Sequence, residues 1–162
     1  MYKIDIKSNN TTDTLKLGQS LSKLLTKGDI VVLSGELGSG KTKFVEGFLK
    51  NYGLENEISS PTFNIVNEYS SLGTNIYHFD VYRLEDSDEF YAIGGEEYVE
   101  KGICLIEWGE LISNVLPKDY IHITIRKNSI DENSRVFEFE IADNSKYIDI
   151  LNKLKEEFNW KF

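Results

Sequence analysis

Gly35-Glu36-Leu37-Gly38-Ser39-Gly40-Lys41-Thr42 has the spacing G-x-x-x-x-G-K-[ST], a pattern for gripping phosphate. The glycines free the backbone to curl its N–H groups around phosphate oxygens, and a helix starting there adds a partial positive charge. Gly35, Leu37, Gly38, Ser39, Gly40, Lys41 and Thr42 are therefore the candidate nucleotide-binding loop. Lys41 would reach the β- and γ-phosphates, and the Thr42 hydroxyl would ligate Mg²⁺. Such a site also needs a carboxylate at the end of a hydrophobic strand beside the loop, and a second one can orient an attacking water. Two apolar runs end that way: Ile76-Tyr77-His78-Phe79 in Asp80, and Cys104-Leu105-Ile106 in Glu107. Asp80 and Glu107 are the candidate metal and catalytic pair, and spacing does not fix which does which. Thr62, in a turn after Pro61, has the placing of a residue that senses the γ-phosphate or Mg²⁺. Trp108 follows Glu107 and reads both as packing and as an aromatic wall near the nucleotide. His78 and His122 lie within strand patterns, with no second His or Cys at ligand spacing, so both read as structural.

These groups work only if the surrounding elements hold them. Asp29–Ser34 is a short apolar run rich in β-branched residues, which predicts a buried strand. Phe44, Val45, Phe48, Leu49 and Tyr52 then recur at helical spacing, with Gly53 as the stop. Strand, glycine loop and helix start are the context that separates a phosphate loop from a chance match. Upstream, Tyr2–Ile6 alternates as a strand. Thr11, Thr12 or Asp13 could cap a helix carrying Leu15, Leu17, Leu21, Leu24 and Leu25 up to Gly28. Phe63–Tyr69 and Ile76–Tyr82 predict a hairpin across Ser70–Asn75, and Asp86–Glu89 has the form of a capping box. Ile103–Ile106 is a second buried strand, Tyr120–Arg126 and Arg135–Ile141 a second hairpin. Ile148, Leu151, Leu154 and Phe158 mark a C-terminal amphipathic helix. The expected fold is α/β: a single three-layer domain over residues 1–162, of the P-loop NTPase kind, with a mixed sheet flanked by helices.

With 162 residues, the chain suits one domain with a real core. No apolar run approaches the ~20 residues of a membrane span. The strand pattern starting at Tyr2 leaves no room for a signal peptide, and the lone Cys104 sits in an apolar run as a buried, inert thiol. The expected compartment is the cytoplasm. Net charge is −9, the only arginines are Arg83, Arg126 and Arg135, and no basic tract exists. Tight docking on a nucleic-acid backbone needs clustered Lys/Arg, so strong RNA or DNA binding by this chain alone is not expected. The acidic surface suits a basic protein partner or solubility alone.

Some nucleotide-binding classes are set aside by missing motifs. Asn152-Lys153-Leu154-Lys155 lacks the Asp of a guanine-reading Asn-Lys-x-Asp, no Leu-Ser-Gly-Gly-Gln occurs, and arginines are too few for a kinase lid. The glycine loop, then Ser60-Pro61-Thr62-Phe63, then His78-Phe79-Asp80-Val81-Tyr82-Arg83-Leu84, then Ile106-Glu107-Trp108 resemble the ordered motif set of the TsaE family. These are the bacterial ATPases of tRNA threonylcarbamoyladenosine biosynthesis. The resemblance runs from about Thr14 to Pro117. It implies ATP and Mg²⁺ as cofactors, slow hydrolysis, and partnership with TsaD and TsaB proteins, with tRNA reached only through that complex. By resemblance, Thr42 and Glu107 are Mg²⁺ ligands, Asp80 and Lys41 are catalytic, Thr62 is a switch, and the segment at Thr11 lies by the adenine. At Gly94-Gly95-Glu96-Glu97-Tyr98 the chain departs from the family, whose members commonly have one Gly followed by an apolar or basic residue. Two alternatives remain: a nucleotide-gated assembly module with incidental turnover, and a small-molecule P-loop kinase.

Overall fold

The computed structural model describes residues 1–36, 38–59, 65–84 and 86–158. Its strands are β1 (Tyr2–Ser8), β2 (Ile30–Ser34), β3 (Val66–Ser71), β4 (Thr74–Asp80), β5 (Ile103–Glu107), β6 (Ile121–Lys127) and β7 (Arg135–Ile141). Its α-helices are α1 (Thr11–Ser22), α2 (Lys41–Lys50), α3 (Ser87–Ala92), α4 (Gly95–Lys101) and α5 (Ile148–Phe158). The strands form one seven-stranded sheet in the order β1-β7-β6-β2-β5-β4-β3. The centre, β6-β2-β5-β4, is parallel, and antiparallel partners close both sides. This is the expected mixed α/β sheet flanked by helices.

Burial explains the sequence patterns. β2 and β5 lie in the middle with both faces covered, so they read as unbroken apolar runs, IVVL and ICLI. β6 and β7 alternate because one face packs on the core while the other is more open. One core layer joins Val31, Leu33, Ile123 and Phe139 to Phe44, Phe48, Leu21 and Leu151, beneath α1, α2 and α5. The opposite layer is smaller. It joins Ile30, Val32, Phe79 and Ile106 to Phe90 and Ile112, over β2, β5 and β4.

Helix α1 is capped by Asn10, one residue ahead of the expected threonines. Its side chain accepts from Asp13 N at 2.8 Å, leaving Thr11 as the first helical residue. The helix stops at Ser22, so Leu24 and Leu25 lie beyond it. The β3–β4 hairpin is tighter than expected. Both strands run on to Ser71 and Thr74, and only Leu72 and Gly73 turn, at φ 53° and 79°. Two consecutive left-handed residues match the twist of the flanking strands, but Leu72 is an unusual occupant and carried no turn signal. Asp86 caps α3 through Glu89 N as the capping pattern predicts. Helices α1 and α2 cross at glycines: a Cβ on Gly18 would lie 2.2 Å from Phe44 O, and one on Gly47 2.2 Å from Leu15 O.

Candidate nucleotide-binding site

The glycine loop leaves the C-terminal end of β2 and enters α2 at Lys41. Gly38 and Gly40 have φ 78° and 111°, a region open to glycine at no steric cost. The left-handed Gly40 caps α2 with no side-chain acceptor, and Lys41, Thr42 and Lys43, the first residues of the helix, line the cleft. The cleft measures about 460 Å³. Gly38, Gly40, Lys41, Thr42 and Thr11 line it, together with Asp80, Glu107 and Trp108. Gly35 and Ser39 belong to the loop but do not line the cleft. Leu37 and Thr62 lie outside the described residues.

The two acids are brought together by strand order. β4 and β5 are parallel neighbours, and Asp80 pairs in register with Glu107. Side chains alternate along a strand, so His78 and Asp80 share one face of β4, and both line the cleft. Glu107 uses its two oxygens differently. Oε2 accepts from His78 Nε2 at 2.7 Å, while Oε1 stands 3.6 Å from Lys41 Nζ. Burial raises the Glu107 carboxyl, but the hydrogen bond and charge of His78 and the Lys41 ammonium together outweigh it, so the group lies below the ordinary glutamate range. Lys41 Nζ also sits 5.1 Å from the centre of the Trp108 ring, and the Tyr82 ring lies 4.9 Å from the same ring. Trp108 is thus an exposed-side wall of the cleft as well as a packing residue. Its backbone is left-handed, at φ 65°, which is costly for a bulky residue and turns the chain sharply after Glu107.

The hairpin β6–β7 supplies residues that sequence reasoning missed. Arg135 Nε donates to Ser39 O at 2.9 Å, and its NH2 group lies 3.4 Å from Gly38 O. Its NH1 group donates to Ser134 O at 2.8 Å and also to Glu132 O. One guanidinium therefore braces the glycine loop from β7, with Glu132 and Asn133 beside it at the cleft wall. Nothing in the local sequence around Arg135 marks it. His78 did carry a signal, since it lies two residues before Asp80 on the same strand. His122, the other histidine, meets Ser34 Oγ at 2.8 Å behind the loop and takes no part in the cleft lining. Cys104 is fully buried, and burial pushes its thiol up to about 12.

A divalent ion fits these residues. A cation, the Lys41 ammonium, already stands beside Glu107 Oε1. A carboxylate pair and the Thr42 hydroxyl offer the hard oxygen donors that Mg²⁺ takes alongside substrate phosphates. Among the described residues no three His, Cys, Asp or Glu gather into a metal cage, and a phosphate-shared Mg²⁺ does not require one. No helix among the described residues is long and apolar enough to cross a membrane.

Parallel central strands, a glycine loop opening onto a helix N-terminus and acids at the ends of adjacent strands define a class: α/β proteins with a cleft at the carboxyl edge of a mixed sheet. A family model for the threonylcarbamoyl adenosine biosynthesis protein TsaE matches residues 8–136. The chain is 40% identical over 129 residues to the tRNA threonylcarbamoyladenosine biosynthesis protein TsaE of Rickettsia felis, covering 79% of this chain and 74% of that protein. It is 36% identical over 138 residues to the Bacillus subtilis TsaE, covering 85% and 86%, and 42% identical over 120 residues to that of Treponema pallidum, covering 74% and 88%. A crystal structure of Bacillus subtilis YdiB is similar with a TM-score of 0.75 and 28% identity, over 96% of both chains. The chain belongs to the TsaE family, the family of tRNA threonylcarbamoyladenosine biosynthesis.

Proposed function

We propose that this chain is the Mg²⁺-dependent, ATP-binding and ATP-hydrolysing component of the tRNA N6-threonylcarbamoyladenosine machinery, acting on a TsaD/TsaB-type partner complex. The observation that carries the reading is the convergence of Lys41, Thr42, Asp80 and Glu107 on one cleft at the carboxyl edge of β2, β4 and β5. Phosphoryl transfer relies on positioning and charge stabilisation more than on covalent chemistry, and these four side chains supply both. Bound Mg²⁺ would neutralise charge on the phosphate oxygens, and Thr42 and Glu107 are the residues that would hold it. Lys41 would leave Glu107 for the β- and γ-phosphates. Asp80 would orient the attacking water. Thr11, at the start of α1, would border the adenine, and Thr62 would report the γ-phosphate to partners. The working compartment is the cytoplasm, and tRNA is engaged only through the partner proteins.

The test is multiple-turnover phosphate release from ATP and Mg²⁺, by the chain alone and with the partner complex. Slow turnover that the partners accelerate supports the proposal. Full modification over many cycles with a non-hydrolysable ATP analogue would instead make the chain an assembly module. ATP consumption that depends on an added nucleoside or sugar would make it a kinase.

A further inference from the structure

Burying an imidazole is costly unless its nitrogens are partnered. His78 is 3% exposed, on β4, in the wall of the cleft. One ring nitrogen has a single use: Nε2 meets Glu107 Oε2 at 2.7 Å. The other, Nδ1, is buried without a hydrogen-bond partner. A carboxylate only accepts, so Nε2 carries a proton and donates it to Glu107. A histidine kept for packing alone would not leave a buried nitrogen unmet, since an apolar side chain of that size would fill the place without loss. The arrangement makes sense if the hydrogen bond to Glu107 is what the histidine is for.

Glu107 has two competing neighbours. Oε2 is taken by His78, and Oε1 lies at the looser distance of 3.6 Å from Lys41. A carboxylate free to rotate would turn both oxygens to the ammonium, closing an ion pair between two groups that the proposed function needs apart. The hydrogen bond from β4 holds Oε2 and leaves Oε1 on the Lys41 side of the cleft. We propose that His78 is a positioning residue: it orients the Glu107 carboxylate so that Oε1 is presented to the nucleotide-bound Mg²⁺ instead of being captured by Lys41. This inference rests on the reading of Glu107 as the metal ligand.

The test measures binding, not turnover. The Mg²⁺ concentration for half-maximal binding of a fluorescent non-hydrolysable ATP analogue is determined for the wild-type chain, His78→Ala, His78→Gln and Glu107→Gln. The analogue is also titrated in EDTA. Removing the partner that orients a metal ligand typically costs 10–100-fold in metal affinity or activity. His78→Ala should therefore raise the Mg²⁺ requirement about tenfold or more, with no loss of binding in EDTA. His78→Gln places an amide N–H near the position of Nε2 and should recover most of the loss. In the double variant with Glu107→Gln, His78→Ala should add nothing further. If alanine does not fold, His78→Leu fills the space without a donor and takes its place in the comparison. A normal Mg²⁺ requirement in the folded donor-free variant, with Glu107→Gln strongly shifted, overturns the role of His78 alone. A normal requirement in Glu107→Gln overturns the metal-ligand reading beneath it. Equal losses for glutamine and alanine, or a matching loss in EDTA, would show a packing role and also overturn the inference.

Discussion

At the scale of single residues, Lys41 is the group with most at stake. It is partly buried between Glu107 and the Trp108 ring, and its reassignment to phosphate replaces one charge contact by another. Lys41→Ala should lose a charge-assisted contact of roughly 1.5–3 kcal/mol, which is ATP binding weakened at least ~10-fold. Calorimetry with unchanged ATP affinity would sink the phosphate-loop assignment. The acids should separate by role. Glu107→Ala should raise the Mg²⁺ needed for nucleotide binding, whereas Asp80→Ala should spare binding and cut turnover. Near wild-type hydrolysis in both would make them structural. Cys104 gives a pH prediction. Its folded value of about 12 lies above the unfolded value near 9, so the unfolded chain loses its proton first as pH rises. The contribution of this thiol to stability is fully present below about pH 9 and is lost as pH rises through about 12. In urea melts from about pH 8 to about pH 11, Cys104→Ala should flatten that decline. Parallel curves for the two proteins would count against it.

At the scale of elements, the α1–α2 crossing is set by backbone contact. With carbonyl oxygens 2.2 Å from a would-be Cβ at both Gly18 and Gly47, the helices approach to a distance that only glycine permits. Gly47→Ala should cost roughly 1–3 kcal/mol by forcing them apart. Because α2 begins at the phosphate loop, nucleotide affinity should fall as well. Thermal unfolding at the wild-type temperature would disprove the constraint. The elements were largely legible in the sequence, and the reasons are physical. β7 starts and stops where its alternation does, since one face is core and the other is open. The glycine loop was legible because its function is written in contiguous backbone. Neighbour relations were not. The reading of Asp80 and Glu107 as a pair needed no sheet order, but the approach of His78 to Glu107 does, because β4 and β5 are separated in sequence by α3 and α4. Arg135 was lost for the same reason. Its contacts to Gly38 and Ser39 exist only because β7 and β6 fold back beside β2. The two-residue turn at Leu72-Gly73 was missed because turn chemistry favours Asn or Asp where this chain has Leu.

At the scale of the whole molecule, charge decides what the chain can touch unaided. Net charge is −9, the sequence has no basic tract, and of its three arginines Arg126 pairs with Glu138 while Arg135 contacts the glycine loop. The isolated chain should bind tRNA no better than the non-specific range of ~10⁻⁴–10⁻⁶ M. Titration of labelled tRNA at fixed salt checks this, and nanomolar, salt-resistant binding would make the chain an RNA-docking subunit instead.

The pairing of the sheet's first strand with its last also sets a timetable. β1 is an edge strand whose one neighbour is β7, with Tyr2 opposite Ile141 and Ser8 opposite Arg135. A ribosome must add about 130 residues after β1 before that neighbour exists, roughly 7–25 s at ordinary elongation rates. Through that interval Ile4 and Ile6 have no strand beside them, while Lys3, Asp5 and Lys7 between them discourage pairing with a stray edge. A nascent chain stalled before Arg135 already holds the glycine loop and both acids. It lacks the brace on that loop and the strand that pairs with β1, so β1, made long before β7, stays unsecured until β7 appears.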